Sequence, residues 1–373
     1  MNTITHTQTT DHITIIKKVV LRAVPMRSVL CLGLLLIGGL LLPSCVSAQV
    51  TLSGTVYSDA GVTADGVART IAVAVGTSTP GLFASTSEVT TGAWTITIPS
   101  GHGIAAGTPI LVWIDNEVVD GSLLTKASTS NDVSVITGLD IYRDRLILRH
   151  EATSATSTTN TDLGFITRAQ DSDIGHSTTT TGIVVQAGIE LYIWTGDTFA
   201  PGGNVTIAGN GGSSDEEGSF FLASGSTYTA GGELRLAGSL AAASGVTINN
   251  ATGTLRFIAT TTGKTINAPL SSLGNITFDG VGGAWTFSSA ATTSAFTILR
   301  GAVTAPATTL GVTGAFQNDA TFNHNNGTIN ITGAATVALG DVLRYIAGRD
   351  TSGSAAGTGN LQVNTMAGSG NFL

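Results

Sequence analysis

Gly232-Glu-Leu-Arg-Leu236, Gly253-Thr-Leu-Arg-Phe257 and Gly274-Asn-Ile-Thr-Phe278 repeat one pattern: a glycine, then apolar residues two and four positions later. The glycines at 232, 253 and 274 are evenly spaced, and Gly203-Asn-Val-Thr-Ile207 opens the series one longer interval upstream. A fixed period of about 20 residues is the mark of a solenoid, because each repeat must stack on its neighbours to bury its apolar face. Alternate residues of a strand point to opposite faces. The pattern therefore predicts a buried ladder of Val205/Ile207, Leu234/Leu236, Leu255/Phe257 and Ile276/Phe278, with Arg235, Arg256 and Thr277 pointing outward. Phe296 and Ile298 continue it after a slip of one residue, and Ile329 and Ile331 of Gly327-Thr-Ile-Asn-Ile331 follow two or three coils later. The long first interval is expected to hold a turn insertion around Ser213-Ser-Asp-Glu-Glu-Gly218, where a coil tolerates extra residues.

Upstream the grammar differs. Val50–Tyr57, Thr70–Val75 and Trp94–Ile98 alternate, and Pro109-Ile-Leu-Val-Trp-Ile114 is a continuous apolar run. Gly, Asn, Asp and Pro punctuate the gaps. Short strands at such spacing point to an antiparallel sandwich. Residues 152–162, Ala-Thr-Ser-Ala-Thr-Ser-Thr-Thr-Asn-Thr-Asp, lack apolar periodicity and read as a linker. The expected fold is all-β: an N-terminal β-sandwich (residues 49–151), the linker, then a parallel β-helix, or β-solenoid (residues 163–373). The alternative is a string of tandem β-sandwiches.

Two stretches resemble known families. Leu52-Ser-Gly-Thr-Val-Tyr-Ser-Asp-Ala-Gly61 and Thr91-Gly-Ala-Trp-Thr-Ile-Thr-Ile-Pro99 resemble the carboxypeptidase-regulatory-like domains, small transthyretin-like sandwiches of bacterial surface proteins. That resemblance implies a sandwich without catalytic residues of its own. Phe316-Gln-Asn-Asp-Ala-Thr-Phe322, Asn323-His-Asn-Asn-Gly-Thr-Ile-Asn-Ile331 and the serial Gly-Asn and Gly-Thr turns resemble the β-helical stalks of secreted adhesins, of the filamentous-haemagglutinin or autotransporter-passenger kind. The sequence has no Leu-Pro-x-Thr-Gly motif or C-terminal membrane barrel. Its end reads as a solenoid cut without a cap, as in a truncated gene.

The first 48 residues read as an export signal. Lys17, Lys18, Arg22 and Arg27 form a basic region, an apolar run follows to Leu42, and Val46-Ser-Ala48 suits signal-peptidase cleavage before Gln49. Met26 is an alternative start that gives a leader of ordinary length. The apolar run is shorter than the roughly 20 residues that span a bilayer, so no membrane span is expected after cleavage. Leu42-Pro-Ser-Cys45 faintly resembles a lipobox, with Pro43 a poor fit. Both cysteines, Cys31 and Cys45, fall in this leader, so the mature chain has neither disulfides nor thiolate chemistry.

The whole chain has 16 basic and 24 acidic residues. Loss of Lys17, Lys18, Arg22, Arg27 and Asp11 leaves 12 against 23, a net charge of −11. Nucleic acid is not expected as a partner, because phosphate binding needs basic clusters. The mature histidines His102, His150, His176 and His324 do not pair at metal-ligand spacing. Asp171, Asp173 and His176 are the nearest approach to a cluster, read first as a solvated turn. Asp215-Glu216-Glu217 reads the same way, since calcium-loop spacings are missing. The dense stretch Asp140, Arg143, Asp144, Arg145, Arg149, His150 and Glu151 reads as exposed cross-strand ion pairs. Trp94, Trp113, Trp194 and Trp285 read as core, with sugar stacking the rival. No nucleophile elbow, phosphate loop or zinc-protease motif occurs in a suitable context.

No catalytic, cofactor-binding or metal-ligating residue is therefore assigned, and no cofactor is expected. The expected protein is a non-enzymatic extracellular or cell-surface component, adhesin-like, exported by the general secretory route and meeting glycans or other surface proteins. The alternatives are a carbohydrate-binding protein and a polysaccharide lyase or hydrolase on a β-helix.

Overall fold

The computed structural model describes residues 49–76, 81–128, 135–151, 157–209, 218–251, 253–268 and 273–331, and residues 360–363 by backbone alone. The leader, the Asp215-Glu216-Glu217 turn and most of the chain beyond Ile331 lie outside the described residues. Those described belong to one compact unit, Ser47–Leu373. Among them, none forms a helix long and apolar enough to cross a membrane.

Strands β1 (Val50–Tyr57), β2 (Thr70–Val75), β3 (Gly81–Thr86), β4 (Ala93–Ile98), β5 (Pro109–Ile114), β6 (Ser122–Lys126), β7 (Val135–Ile136), β8 (Ile141–Tyr142) and β9 (Arg145–Leu148) come first. β1 pairs antiparallel with β4 and makes short parallel contacts with β7 and β8. A larger sheet runs β3-β2-β5-β6 through antiparallel pairs, and together these N-terminal strands make the first layer of the molecule. β9 then joins β6 in parallel, with Ser122 opposite Leu146. From there the sheet does not end.

After the single helical turn α1 (Asn160–Leu163) the chain enters its coils: β10 (His176–Thr179), β11 (Gly182–Val185), β12 (Glu190–Ile193), β13 (Thr198–Phe199), β14 (Asn204–Ile207), β15 (Phe220–Leu222), β16 (Thr227–Thr229), β17 (Glu233–Leu236), β18 (Leu240–Ala242), β19 (Thr247–Asn249), β20 (Thr254–Phe257) and β21 (Lys264–Asn267). β22 (Asn275–Phe287), β23 (Ala291–Thr293), β24 (Ala295–Thr304), β25 (Thr309–Val312), β26 (Phe316–Asn318), β27 (Thr321–Asn323), β28 (Thr328–Ile331) and β29 (Asn360–Val363) complete the series.

Nearly every pairing in the coils is parallel, in about nine turns of a β-solenoid. The first wall stacks β11, β14, β17, β20, the front of β22, the front of β24 and β26. The second stacks β9, β12, β15, β18, β21, the ends of β22 and β24, and β27. Shorter strands make the third: β13, β16 and β19, then β23, β25, β28 and β29. Tandem sandwiches are thus excluded for the described coils, since parallel strands in register cannot be built from hairpins.

The expected ladder is present. Val205, Leu234, Leu255, Ile276, Phe296 and Phe316 are successive register partners, all buried. Rings stack along it: Phe257 lies 4.9 Å from Phe278 at 10°, and Phe296 lies 5.6 Å from Phe316 at 3°. One detail differs from expectation. Phe316 succeeds Phe296, whereas Ile329 and Ile331 sit in the third wall opposite Leu310 and Val312. The long first coil keeps register, with Val205 opposite Leu234. Its excess lies between β14 and β15, where residues 210–217 are outside the described set.

One of the repeating glycines has a clear steric cause. Gly274 has φ +61°, and a Cβ there would stand 2.0 Å from the Asn250 carbonyl oxygen of the preceding coil. L-residues pay strain for positive φ, and glycine does not.

The sheet β2-β5-β6-β9 is covered on both faces. Ile71, Val73, Ile110, Val112, Leu123 and Ile147 join the core under β1 and β4. Ala72, Ala74, Leu111, Trp113, Leu124 and Leu146 join the core of the coils with Leu163, Ile174 and Leu191. A strand buried on both faces reads as an unbroken apolar run, which is why Ile110 to Ile114 show no polar residue. β9 pairs with β12, Leu146 opposite Leu191, so the hydrogen-bonded sheet continues from the first layer into the first coil. Of the expected linker, residues 152–156 lie outside the described residues. Thr158 bridges to Phe199, and Thr159 caps α1 in a reciprocal box with Asp162.

Candidate functional site

Asp171 and Asp173 do come together, but with Asp115 rather than His176. The three carboxylates each place an oxygen within 4.8 Å of the others, and all are partly exposed. The turn after β5 brings Asp115 there, with Asn116 in the left-handed region at φ 56°. The Asn116 amide donates to Asp173, its side-chain amide to Asp115 at 2.8 Å, and the Asp173 amide to Asp171 at 2.9 Å. Partial burial, then the Asp171 charge, pushes the Asp115 carboxyl above its ordinary pKa. Burial chiefly, with further repulsion from Asp173 and Asp144, does the same at Asp120. Hard divalent cations take carboxylate and carbonyl oxygens, so Asp115, Asp171 and Asp173 are the residues here that could hold one. The backbone donors already satisfy part of the same oxygens. His176 is fully buried, its Nε2 donates to the Leu163 carbonyl at 2.8 Å, and burial lowers its pKa. It is a neutral core residue joining β10 to α1.

The charged stretch at residues 140–151 departs from expectation. Instead of exposed pairs, it forms shielded contacts at the junction between the first layer and the first coil. Arg145 meets Glu190 at 2.8 Å with side chains 8% and 11% exposed. His150 Nε2 meets Asp197 at 3.2 Å, and Arg149 meets Glu151 at 2.6 Å. Lys126 of β6 meets Asp162 of α1 at 3.2 Å. Burial raises the Asp197 carboxyl to about 6, against the opposing pull of His150. These pairs are buried because β9 lies between two layers, which no local pattern of charges reveals.

Three tryptophans are core: Trp94, Trp113 and Trp285 are 2%, 0% and 1% exposed. Trp194 is the exception. It is half-buried, with the Arg149 guanidinium 5.5 Å from its ring and Tyr142 and Tyr192 tilted against it. Beyond it, Tyr192 stacks on Phe221 at 5.0 Å and 18°. An aromatic row thus follows the outside of the second wall.

The outside of the first wall carries ions instead. Arg235 meets Glu233 at 2.5 Å, Glu233 meets Arg256 at 3.2 Å, Arg256 meets Asp279 at 2.8 Å, and Asp279 meets Arg300. The predicted outward placement of Arg235 and Arg256 is therefore found. The bridging by Glu233, within the pattern, and by Asp279, just past it, was not anticipated. A separate open groove is lined by Thr159, Asn160, the Thr178–Thr181 hairpin and Gly202.

No protein-family model, no curated protein and no solved structure matches the chain.

Proposed function

We propose that the protein is a non-enzymatic extracellular scaffold, an adhesin-like stalk whose coils display side chains in fixed columns. The carrying observation is the unbroken chain of ion pairs from Arg235 to Arg300, which spans successive coils on one face. Such a column couples neighbouring coils and fixes outward groups at the interstrand spacing of about 4.8 Å. In this reading residues 49–151 are a transthyretin-like sandwich that closes the near end of the coil core. The leader-like first 48 residues, the acidic balance and the thiol-free mature sequence support export by the general secretory route. Glycans and other surface proteins are the partners that suit such a scaffold.

Fractionation of expressing cells, with mass spectrometry of the mature N-terminus, tests the reading. A chain that begins at Gln49 and is found at the surface or in the medium supports it. A chain retained in the cytoplasm with residues 26–48 intact overturns it.

A further inference from the structure

The outward row of the second wall changes character within three coils. Ile147, Tyr192, Phe221, Ala241 and Asn267 are register partners on successive strands. Ile147 is buried under the first layer, and Tyr192 packs against that same core. Phe221 then stacks on Tyr192 at 5.0 Å and 18°. At the next rung the ring is replaced by the methyl group of Ala241, and at the next by the exposed amide of Asn267. The ring stack stops one rung short of a polar group.

Neighbouring strands of a sheet lie about 4.8 Å apart, so Phe221 and Asn267 stand roughly 9.6 Å apart across Ala241. A ring seated at the usual carbon contact distance of about 3.5–4.0 Å from Phe221 would occupy the missing rung and bring its edge groups to the Asn267 amide. The floor is Ala241, the outward residue of the rung. Ser224 and Ser244 form the exposed rim and are joined by a 3.0 Å hydrogen bond. The outward strand residues of these three rungs, Phe221, Ala241, Thr265 and Asn267, carry no charge.

We infer that the notch between Phe221 and Asn267 binds a neutral pyranose ring of a glycan. The C–H face of such a ring suits the flat apolar face of a phenyl group, and its hydroxyls suit an amide and serine hydroxyls. Among the described outward residues of these rungs, no counter-charge offsets the desolvation of a charged sugar. The site stands independently of the scaffold reading, since it requires the coil geometry but not secretion.

Isothermal titration of the full chain with cellohexaose, mannohexaose and oligogalacturonate tests it, alongside the variants Phe221→Ala and Ala241→Phe. The expected result is saturable binding of at least one neutral oligosaccharide, weakened tenfold or more in Phe221→Ala. Ala241→Phe should abolish that binding while raising Tm, because its ring fills the notch and extends the stack. Absence of saturable binding to both neutral sugars overturns the inference. So does binding that survives Ala241→Phe in a folded protein, or binding confined to the charged oligogalacturonate.

Discussion

The first layer and the coils solve the same burial problem in different ways. In residues 50–148 the strands pair in a mixed pattern with no repeat, the longer pairs antiparallel, and the pairing depends on turns such as Asn116 and Asp144, both with positive φ. In the coils each strand finds its equivalent one turn of the solenoid later, in parallel, and the same inward position is filled over and over. The first design makes each contact individual; the second makes each contact a member of a column. The two meet in one sheet, where β9 is partner to both β6 and β12. A lesion at that shared wall should therefore disturb both regions, whereas a lesion within a column should spread only along the coils.

Trp113→Ala should have the largest effect. Its side chain is fully buried in the coil core while its strand belongs to the first layer. Truncating a buried tryptophan costs about 3–5 kcal/mol. Chemical denaturation should show the loss in one transition read by every probe. Survival of intact coils beside an unfolded first layer would break the comparison.

Gly274→Ala should cost about 1–3 kcal/mol from positive-φ strain, with the clash against the Asn250 backbone carbonyl adding to it. Amide protection should fall first in the coils on either side, at residues 254–257 and 275–278, and last in β1 and β4.

The junction should also respond to pH. The folded Asp197 carboxyl titrates at about 6, above the ordinary value of about 3.9. A raised carboxyl pKa gives a contribution fully present below about pH 4 and lost as pH rises through about 6. Wild-type stability should carry a falling component across that window. Asp197→Asn should remove it, as read by denaturant midpoints from pH 4 to pH 7. An unchanged slope would show that the carboxyl is not held in a buried junction.

The smallest effect is expected at the ion column. Arg256 bridges Glu233 and Asp279 with a side chain 27% exposed. Arg256→Ala should cost about 0.5–1 kcal/mol, and the difference should shrink in high salt. A salt-independent loss would point to packing of the arginine stem instead.

The ladder from Val205 to Phe278 was legible because glycine and two inward residues recur together. It weakens at Phe296, where Ser294 stands in the glycine's place, and fails at Phe316-Gln-Asn318, where Gly314 is kept but the second inward residue is a buried asparagine. Ile329 and Ile331 imitate the pattern from another wall, since any inward alternating pair looks alike in sequence. Asp115 could not be joined to Asp171 and Asp173 by reading neighbours, because a turn across the fold supplies it. The charged run at 140–151 showed its opposite signs but not its burial, which depends on layers contributed by distant strands. Trp194 was legible as one of four tryptophans but not as the one left half-exposed.

Native-state hydrogen exchange followed by mass spectrometry tests the shared sheet most directly. Strands β5, β6 and β9 of the first layer and β12 and β15 of the first coils should show the same protection and open together as denaturant is raised. If β5, β6 and β9 exchange through an earlier opening while β12 and β15 stay protected, the first layer is a separate folding unit and the continuous-sheet account is wrong.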